Sequence, residues 1–325
     1  MLLAGDIGGT NTRLALFTDD AKEMVREQTF PSREHRSLAS AIDLFFQGKQ
    51  PRLRGATFGI AGPVLDGRVS ATNLPWKLDE RSLAKKLRLG KVTLLNDLVS
   101  LALGAIAAPR REVHRLLAPR RPAKHGNVVV IAAGTGLGEA ALVWDGKRLV
   151  PCGTEGGHSD FAPRNDLEWE LFQFIQKRIG GRVSYERIVS GPGFGTVYDF
   201  FREAKGVPEA AGADAQIREA KDRNAAIAKL GASGESEACA RTLDLFAAVY
   251  GAEAGNLALK FLAVGGVFLA GGIAASLLPT LEAKLPPAFL DKGRFRPLLE
   301  TVPVTVVKSS QIGLYGSARH AAGLT

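Results

Sequence analysis

A strand, a glycine–threonine turn and a second strand occur twice in this chain, and no other feature narrows the possible folds as much. The first copy reads Leu3-Ala-Gly-Asp-Ile-Gly-Gly-Thr-Asn-Thr-Arg-Leu-Ala-Leu-Phe17, the second Val128-Val-Val-Ile-Ala-Ala-Gly-Thr-Gly-Leu-Gly-Glu-Ala-Ala-Leu-Val143. Glycines let a ligand approach the main chain closely, and turn amides beside a threonine hydroxyl form a concave anion site. A Walker loop would need Gly-Lys-Ser/Thr opening a helix, and a dinucleotide fingerprint would need a helix after its glycines. Here the turns run instead into apolar strands, Arg13-Leu-Ala-Leu-Phe17 and Glu139-Ala-Ala-Leu-Val-Trp144. Each copy therefore reads as a β-hairpin gripping phosphate at its tip. Two such tips from two halves of one chain suggest a nucleotide phosphate tail held between two lobes.

Strand-like runs at residues 2–5, 13–17, 55–60, 92–95, 128–132, 140–144, 267–270 and 302–307 are interleaved with helical patterns. The helical patterns cover 37–46, 79–87, 97–107, 167–177, 237–262 and 311–322. Such alternation indicates an α/β fold, and 325 residues suffice for two domains with their own cores. The basic, proline-containing stretch 109–125 reads as the connection between lobes. Residues 206–234, rich in alanine and charge, read as an exposed helical excursion.

The net charge of +9 is concentrated in part at Arg110, Arg111, Arg115, Arg120, Arg121 and Lys124. Without a helix-turn-helix, a zinc finger or basic residues interleaved with aromatics, this reads as a basic surface, and no nucleic-acid partner is expected. Cys152 and Cys239 are far apart with no Cys-x-x-Cys pair. That argues against a disulfide framework or a structural zinc cluster and is compatible with a reducing cytoplasm. The first apolar run lacks a basic segment before it and meets Asp6 at once, so it reads as a strand and not a signal peptide. The most apolar stretch, 261–278, is interrupted by four glycines and is short for a membrane span. It reads as buried helix, strand and turn, and no membrane partner is expected.

Six motifs then appear in a fixed order: Gly5-Asp-Ile-Gly-Gly-Thr-Asn11, Leu94-Leu-Asn-Asp97, Ala133-Gly-Thr-Gly-Leu-Gly138, Glu155-Gly-Gly-His-Ser-Asp-Phe-Ala-Pro163, Glu186-Arg-Ile-Val-Ser-Gly-Pro-Gly193 and Leu269-Ala-Gly-Gly-Ile273. Together they resemble the sugar kinase, actin and heat-shock ATPase superfamily and, within it, the bacterial-type ATP-dependent glucokinases. The resemblance covers nearly the whole chain. It implies a two-lobed, actin-like (ribonuclease H-like) α/β fold with an interlobe cleft. The small domain would span 1–108 with a C-terminal helix at 309–325, and the large domain 109–308. It also implies a cytoplasmic homodimer that uses ATP and Mg²⁺ to convert D-glucose to glucose 6-phosphate, the first step of glycolysis. The related repressor/open-reading-frame/kinase group carries a clustered-cysteine zinc motif after its Glu-x-Gly-His region; this chain has none, so zinc is not expected. Thr12, where alanine is frequent, and the basic composition depart from the family without touching the expected chemistry.

Phosphoryl transfer to a sugar needs a base at the hydroxyl, charge neutralisation at the γ-phosphate and exclusion of water. Asp97 follows a strand and opens a helix, a place that suits either a helix N-cap or a base at a strand end; the resemblance implies the base, with Asn96 on sugar hydroxyls. Asp6 suits an Asx turn, and the resemblance implies that it orients Mg²⁺, through water. By the same resemblance Gly5, Gly8, Gly9, Thr10 and Asn11 face the phosphates from one lobe, and Gly134, Thr135 and Gly136 from the other. Glu155 and His158 flank two glycines in a loop. A carboxylate and an imidazole can pair with adjacent sugar hydroxyls, whereas a metal site would have only Asp160 nearby as a third ligand. Glu186 could be a solvent-exposed loop residue, but the resemblance places it in the sugar pocket. Gly271 and Gly272 could form a tight turn; the resemblance sets them against the adenosine of ATP. Two alternatives stay open. One is a kinase for another hexose, such as mannose or glucosamine. The other is a non-catalytic, sugar-responsive regulator, against which Asp97, both phosphate turns and the lack of a DNA-binding extension argue.

Overall fold

Strands buried on both faces read as continuous apolar runs, because no face is left for polar residues. The computed structural model, which describes residues 1–71 and 74–324, has two sheets built on such runs and falls into two compact units. The first unit comprises Met1–Val113, Ala140–Gly153 and Ser309–Thr325. Its strands are β1 (Leu2–Ile7), β2 (Asn11–Phe17), β3 (Met24–Pro31), β4 (Gly55–Ile60), β5 (Arg68–Ser70), β6 (Lys77–Asp79) and β7 (Thr93–Asn96). The main sheet has the order β3-β2-β1-β4-β7. β2 runs antiparallel to both β1 and β3, while β4 and β7 run parallel to β1.

One face of this sheet, through Phe58 of β4, packs into a core with Phe45 and Trp76. The other receives the helix Ile312–Ala321, whose Leu314 and Ala318 meet Leu2, Ala4 and Phe17. That helix also lies against the helix Asp97–Ala105 through glycines. A Cβ on Gly104 would run into the Ile312 carbonyl, and one on Gly316 into the Ser100 carbonyl. Gly316→Ala is therefore expected to destabilise the protein by about 1–3 kcal/mol through overpacking. Scanning calorimetry would show this as a lowered thermal midpoint relative to Gly313→Ala in the same helix, where the added Cβ meets nothing within 4 Å.

The second unit comprises His114–Glu139 and Thr154–Lys308. Its strands come from β8 (Val113–Leu117), β9 (Val128–Ala133), β10 (Leu137–Trp144), β12 (Gly266–Ala270) and β13 (Val304–Val307), in the order β10-β9-β12-β13-β8. The central three, β9, β12 and β13, are parallel. β10 continues into the first unit, where it pairs antiparallel with β11 (Leu149–Gly153). The helix Glu237–Phe261, capped by Ser236, buries Phe246 and Tyr250. Its Gly251 and Gly255 lie against the Leu285 and Phe289 carbonyls of the helix Leu278–Leu290.

Two expectations change. Residues 206–234 form the helices Ala211–Glu219 and Arg223–Ser233, but this excursion is not simply exposed. Ala213, Ile217, Ile227 and Leu230 are buried, because four apolar side chains at helical spacing suffice to seat two short helices. The stretch 109–125 is more than a connection, since it contributes β8 at a sheet edge. Among the described residues no helix is long and apolar enough to cross a membrane.

Candidate active site

In the first unit β1 and β2 pair as far as Ile7 and Thr12, and the Gly8 N–H donates to the Asn11 carbonyl at 2.9 Å. The tip thus spans Gly8, Gly9, Thr10 and Asn11, with Thr10 and Asn11 exposed. Gly5 lies deeper, buried in β1, where a side chain would collide with the Phe58 ring. Ser32 braces the tip. Its N–H donates to the Thr10 carbonyl at 2.8 Å and its Oγ to the Gly8 carbonyl at 2.7 Å. With that hydroxyl proton committed, Thr12 Oγ1 donates to Ser32 Oγ at 2.9 Å. Thr12, set apart from the chemistry on sequence grounds, therefore props the turn from a fully buried position. Losing one such bond costs about 0.5–1.5 kcal/mol, so Thr12→Ala is expected to raise the ATP KM by about 2- to 12-fold and leave the glucose KM in place. Initial rates against each substrate would check this.

Asp6 accepts from the Arg13 guanidinium at 2.9 Å, and Arg13 also donates to the Ser310 carbonyl at 2.9 Å. Burial holds the Asp6 carboxyl above its usual range in spite of Arg13. Asn96 ends β7, and the helix Asp97–Ala105 starts at the next residue. The cap of that helix is Asn96: its Oδ1 accepts from the Leu98 N–H at 2.9 Å, and its Nδ2 donates to the Gly62 carbonyl at 3.3 Å. Asp97 stands at the first helical position, with Oδ1 2.9 Å from the same Leu98 nitrogen. In register, Ile7 lies beside Ile60 and Ile60 beside Asn96. The hairpin tip and Asp97 thus share the C-terminal edge of the parallel strands, where open α/β sheets bind ligands.

In the second unit the turn between β9 and β10 closes through the Gly134 N–H donating to the Gly136 carbonyl at 2.8 Å, leaving Thr135 exposed. The Gly134 carbonyl accepts from the Gly191 N–H at 2.8 Å, where the helix Gly191–Asp199 begins under a Ser190 cap. Glu186 Oε2 accepts from the Leu137 N–H at 3.0 Å and takes the space a Cβ on Gly136 would need. Its Oε1 lies 3.8 Å from His158 Nδ1. Glu186 is therefore no free loop residue, because it joins the turn to the Glu155–His158 loop.

That loop is stitched to the Glu186 segment by Arg182 donating to the His158 carbonyl at 2.6 Å and the Tyr185 N–H donating to the Ser159 carbonyl at 3.1 Å. Both of its glycines answer to close approach: Gly156 touches the Glu139 carboxyl and Gly157 the Leu137 carbonyl, with no room for a Cβ at either. Glu155 and His158 are exposed. At the end of β12, Gly271 has φ +89° and passes close to the Ala133 carbonyl, whereas Gly272 is open. Beside Thr135 lies a cavity of about 270 Å³, lined also by Arg178, Glu186, Ser190, Pro192 and Thr196.

A glucokinase family model matches residues 3–324. The chain belongs to the glucokinase family. A glucokinase of Trichormus variabilis is 38% identical over 341 positions, covering 100% of this chain and 99% of the relative. The crystal structure of a glucokinase from an Antarctic psychrotroph is 30% identical with a TM-score of 0.83, covering 99% of this chain and 98% of that one. A Balamuthia mandrillaris glucokinase solved in complex with glucose is 24% identical with a TM-score of 0.80, over 98% of this chain and 93% of that one; that likeness is one of fold. The α/β fold is thus the two-lobed, actin-like fold of the sugar kinases.

Glucokinases are kinases that phosphorylate glucose, and the family implies use of ATP. Each unit gathers its own share of the residues singled out by sequence: Asp6, the Gly8–Asn11 tip, Asn96 and Asp97 in one, and the Gly134–Gly136 turn, Glu155, His158, Glu186, Gly271 and Gly272 in the other. Arg178, Ser190 and Thr196 were missed. Ser190 and Gly193 lay within a quoted motif, but only their packing beside Thr135 shows that they border a cavity.

Proposed function

We propose that this chain transfers the γ-phosphoryl group of ATP to the 6-hydroxyl of D-glucose, giving glucose 6-phosphate and ADP, with Asp97 as general base. The observation that carries this reading is the placement of Asp97 at the start of the helix Asp97–Ala105, on the C-terminal edge of the parallel strands that also carries the glycine hairpin tip, with Asn96 as the helix cap. A base there takes the proton of the hydroxyl as it attacks phosphorus. Asn96 keeps an amide hydrogen and an acceptor lone pair beyond the bonds it makes to Gly62 and Leu98, so it can hold a neighbouring sugar hydroxyl.

Glu155 and His158 bind further hydroxyls. Glu186, near His158 Nδ1, biases the imidazole so that Nε2 is left for the sugar. The amides of both turns, with the hydroxyls of Thr10 and Thr135, receive the phosphates. The cavity beside Thr135 supports a place for the rest of the nucleotide, as does the close-packed Gly271. Holding all these groups in place before reaction is what lowers the barrier, since the transfer offers the protein little covalent chemistry to perform.

The residues also fit Mg²⁺. Among the described residues no three His, Cys, Asp or Glu side chains gather, and magnesium uses one or two carboxylates with water and substrate phosphates. Asp6 supplies one, and its burial gives it reason to favour a nearby cation. Asp6 would hold Mg²⁺ there through water, and the ion would supply charge neutralisation for the transferred phosphoryl group. The same reading makes the protein a cytoplasmic homodimer feeding glycolysis; the family resemblance and two unpaired cysteines support it.

Measuring ADP release with glucose, mannose and glucosamine tests the substrate. The expected result is a kcat/KM for glucose at least about tenfold above the others, the worth of one well-placed hydrogen bond at carbon 2. Equal or faster turnover of mannose or glucosamine would assign the site to another hexose.

A further inference from the structure

Glu139, in β10 just past the second turn, is 1% exposed, and neither of its carboxyl oxygens has a hydrogen-bond partner. An ionised carboxylate in that position is strongly disfavoured. It faces Glu253 of the helix Glu237–Phe261, which is 0% exposed. Glu253 is itself satisfied, accepting from Asn256 at 2.8 Å and Lys260 at 3.1 Å.

Above Glu139 sits the loop that carries Glu155 and His158. Glu139 Oε2 fills the place of a Cβ on Gly156. The Glu139 carbonyl accepts from Thr154 Oγ1 at 3.0 Å, and Thr154 Oγ1 accepts from the Gly156 N–H at 3.2 Å. The position of Gly156 is thus set by Glu139 through its main chain and its side chain together.

Burial, reinforced by the charge of Glu253, pushes the Glu139 carboxyl up to about 8, with Lys260 offsetting only part. Tyr250 faces Glu139 and Tyr185 faces Glu253, and burial holds both phenols above their ordinary value. Lys292, beside Glu253, is lowered by its own burial from the usual lysine range.

We propose that Glu139 is a positioning residue for glucose: protonated and turned toward Glu253, it holds Gly156 at the height at which Glu155 and His158 meet the sugar, and its ionisation displaces the loop. This rests on reading the Glu155–His158 loop as the glucose site. Glucose then prefers the protonated form, so its binding draws in protons wherever Glu139 is partly ionised.

Calorimetric titration of glucose at about pH 6.5 and about pH 9.5, on either side of the shifted carboxyl, tests this with wild type, Glu139→Gln and Glu155→Gln. Wild type is expected to bind about tenfold more weakly at the higher pH, the size of an ordinary coupling between two sites. Glu139→Gln keeps the shape and a donor toward Glu253 but cannot ionise, so its affinity should be the same at both. Glu155→Gln should bind weakly at both and still show the wild-type decline. If Glu155→Gln binds glucose normally, the loop is not the sugar site. If it binds weakly while Glu139→Gln keeps the wild-type decline, the role of Glu139 alone is overturned. A wild-type loss reversed by KCl would also overturn it, in favour of a cation between the two carboxylates.

A measurement on wild type alone needs no variant to fold. At about pH 8, to which burial pushes the Glu139 carboxyl up, the heat of glucose binding should vary with the ionisation enthalpy of the buffer, reporting proton uptake. No such variation would overturn the proposal.

Discussion

Asp97→Ala is expected to lower kcat by about 10²–10⁴-fold, the usual contribution of a general base, while leaving glucose bound. Asp97 opens a helix without being its cap, and its main-chain neighbours are held by Asn96, whose bonds to Leu98 and Gly62 the substitution leaves intact. What is lost structurally is one carboxylate in a first helical turn, worth about 0.3–1 kcal/mol, together with its share of the Leu98 N–H, which Asn96 also accepts. The thermal midpoint, measured alongside, should fall only slightly beside the loss of rate, which separates catalysis from unfolding. Asp97→Asn, which keeps the shape but not the basicity, should fall as far. Rates at saturating ATP and glucose decide the matter. A loss below about threefold, far under the range for a base, would remove Asp97 from the catalytic role.

Glu186→Ala is expected to raise the KM for glucose and for ATP together. Its carboxylate accepts from the Leu137 N–H at the second phosphate turn and lies 3.8 Å from His158, so one truncation disturbs the elements proposed for both substrates. A buried partner left unsatisfied costs about 1–3 kcal/mol, which corresponds to about 5- to 150-fold. Glu186→Gln separates the two effects. It keeps a carbonyl oxygen for Leu137 and loses the charge beside His158, so the ATP constant should recover while the glucose constant stays high. A Glu186→Ala variant in which neither constant moves would return Glu186 to a purely structural part.

Much of the fold could be read from the chain because its central strands are continuous apolar runs and its two turns are rich in glycine. β1, β4, β9 and β12 are buried along nearly their whole length, so periodicity and burial agree there. The edge strands were harder. β3 carries Arg26 and Glu27 with only Phe30 buried, as an exposed edge requires, and its pattern alone does not separate it from a loop. β8 is half exposed for the same reason.

Within the candidate site, residues in compact motifs stood out, whereas those that support them did not. The Thr12–Ser32–Gly8 chain of hydrogen bonds joins positions 20 residues apart. Glu139 directly follows the second glycine turn, and only the fold shows that it lies under Gly156 beside Glu253. The assignment of the helix cap to Asn96 and not Asp97 turns on one backbone step that composition cannot register.

Phosphorus NMR of ATP, Mg²⁺ and glucose incubated with the purified chain tests the central claim most directly. A single new sugar phosphate is expected, esterified at carbon 6 and growing in step with ADP, and essentially none over the same period with Asp97→Ala. Inorganic phosphate in place of the ester, an ester at another carbon, or product from Asp97→Ala at the wild-type rate would contradict it.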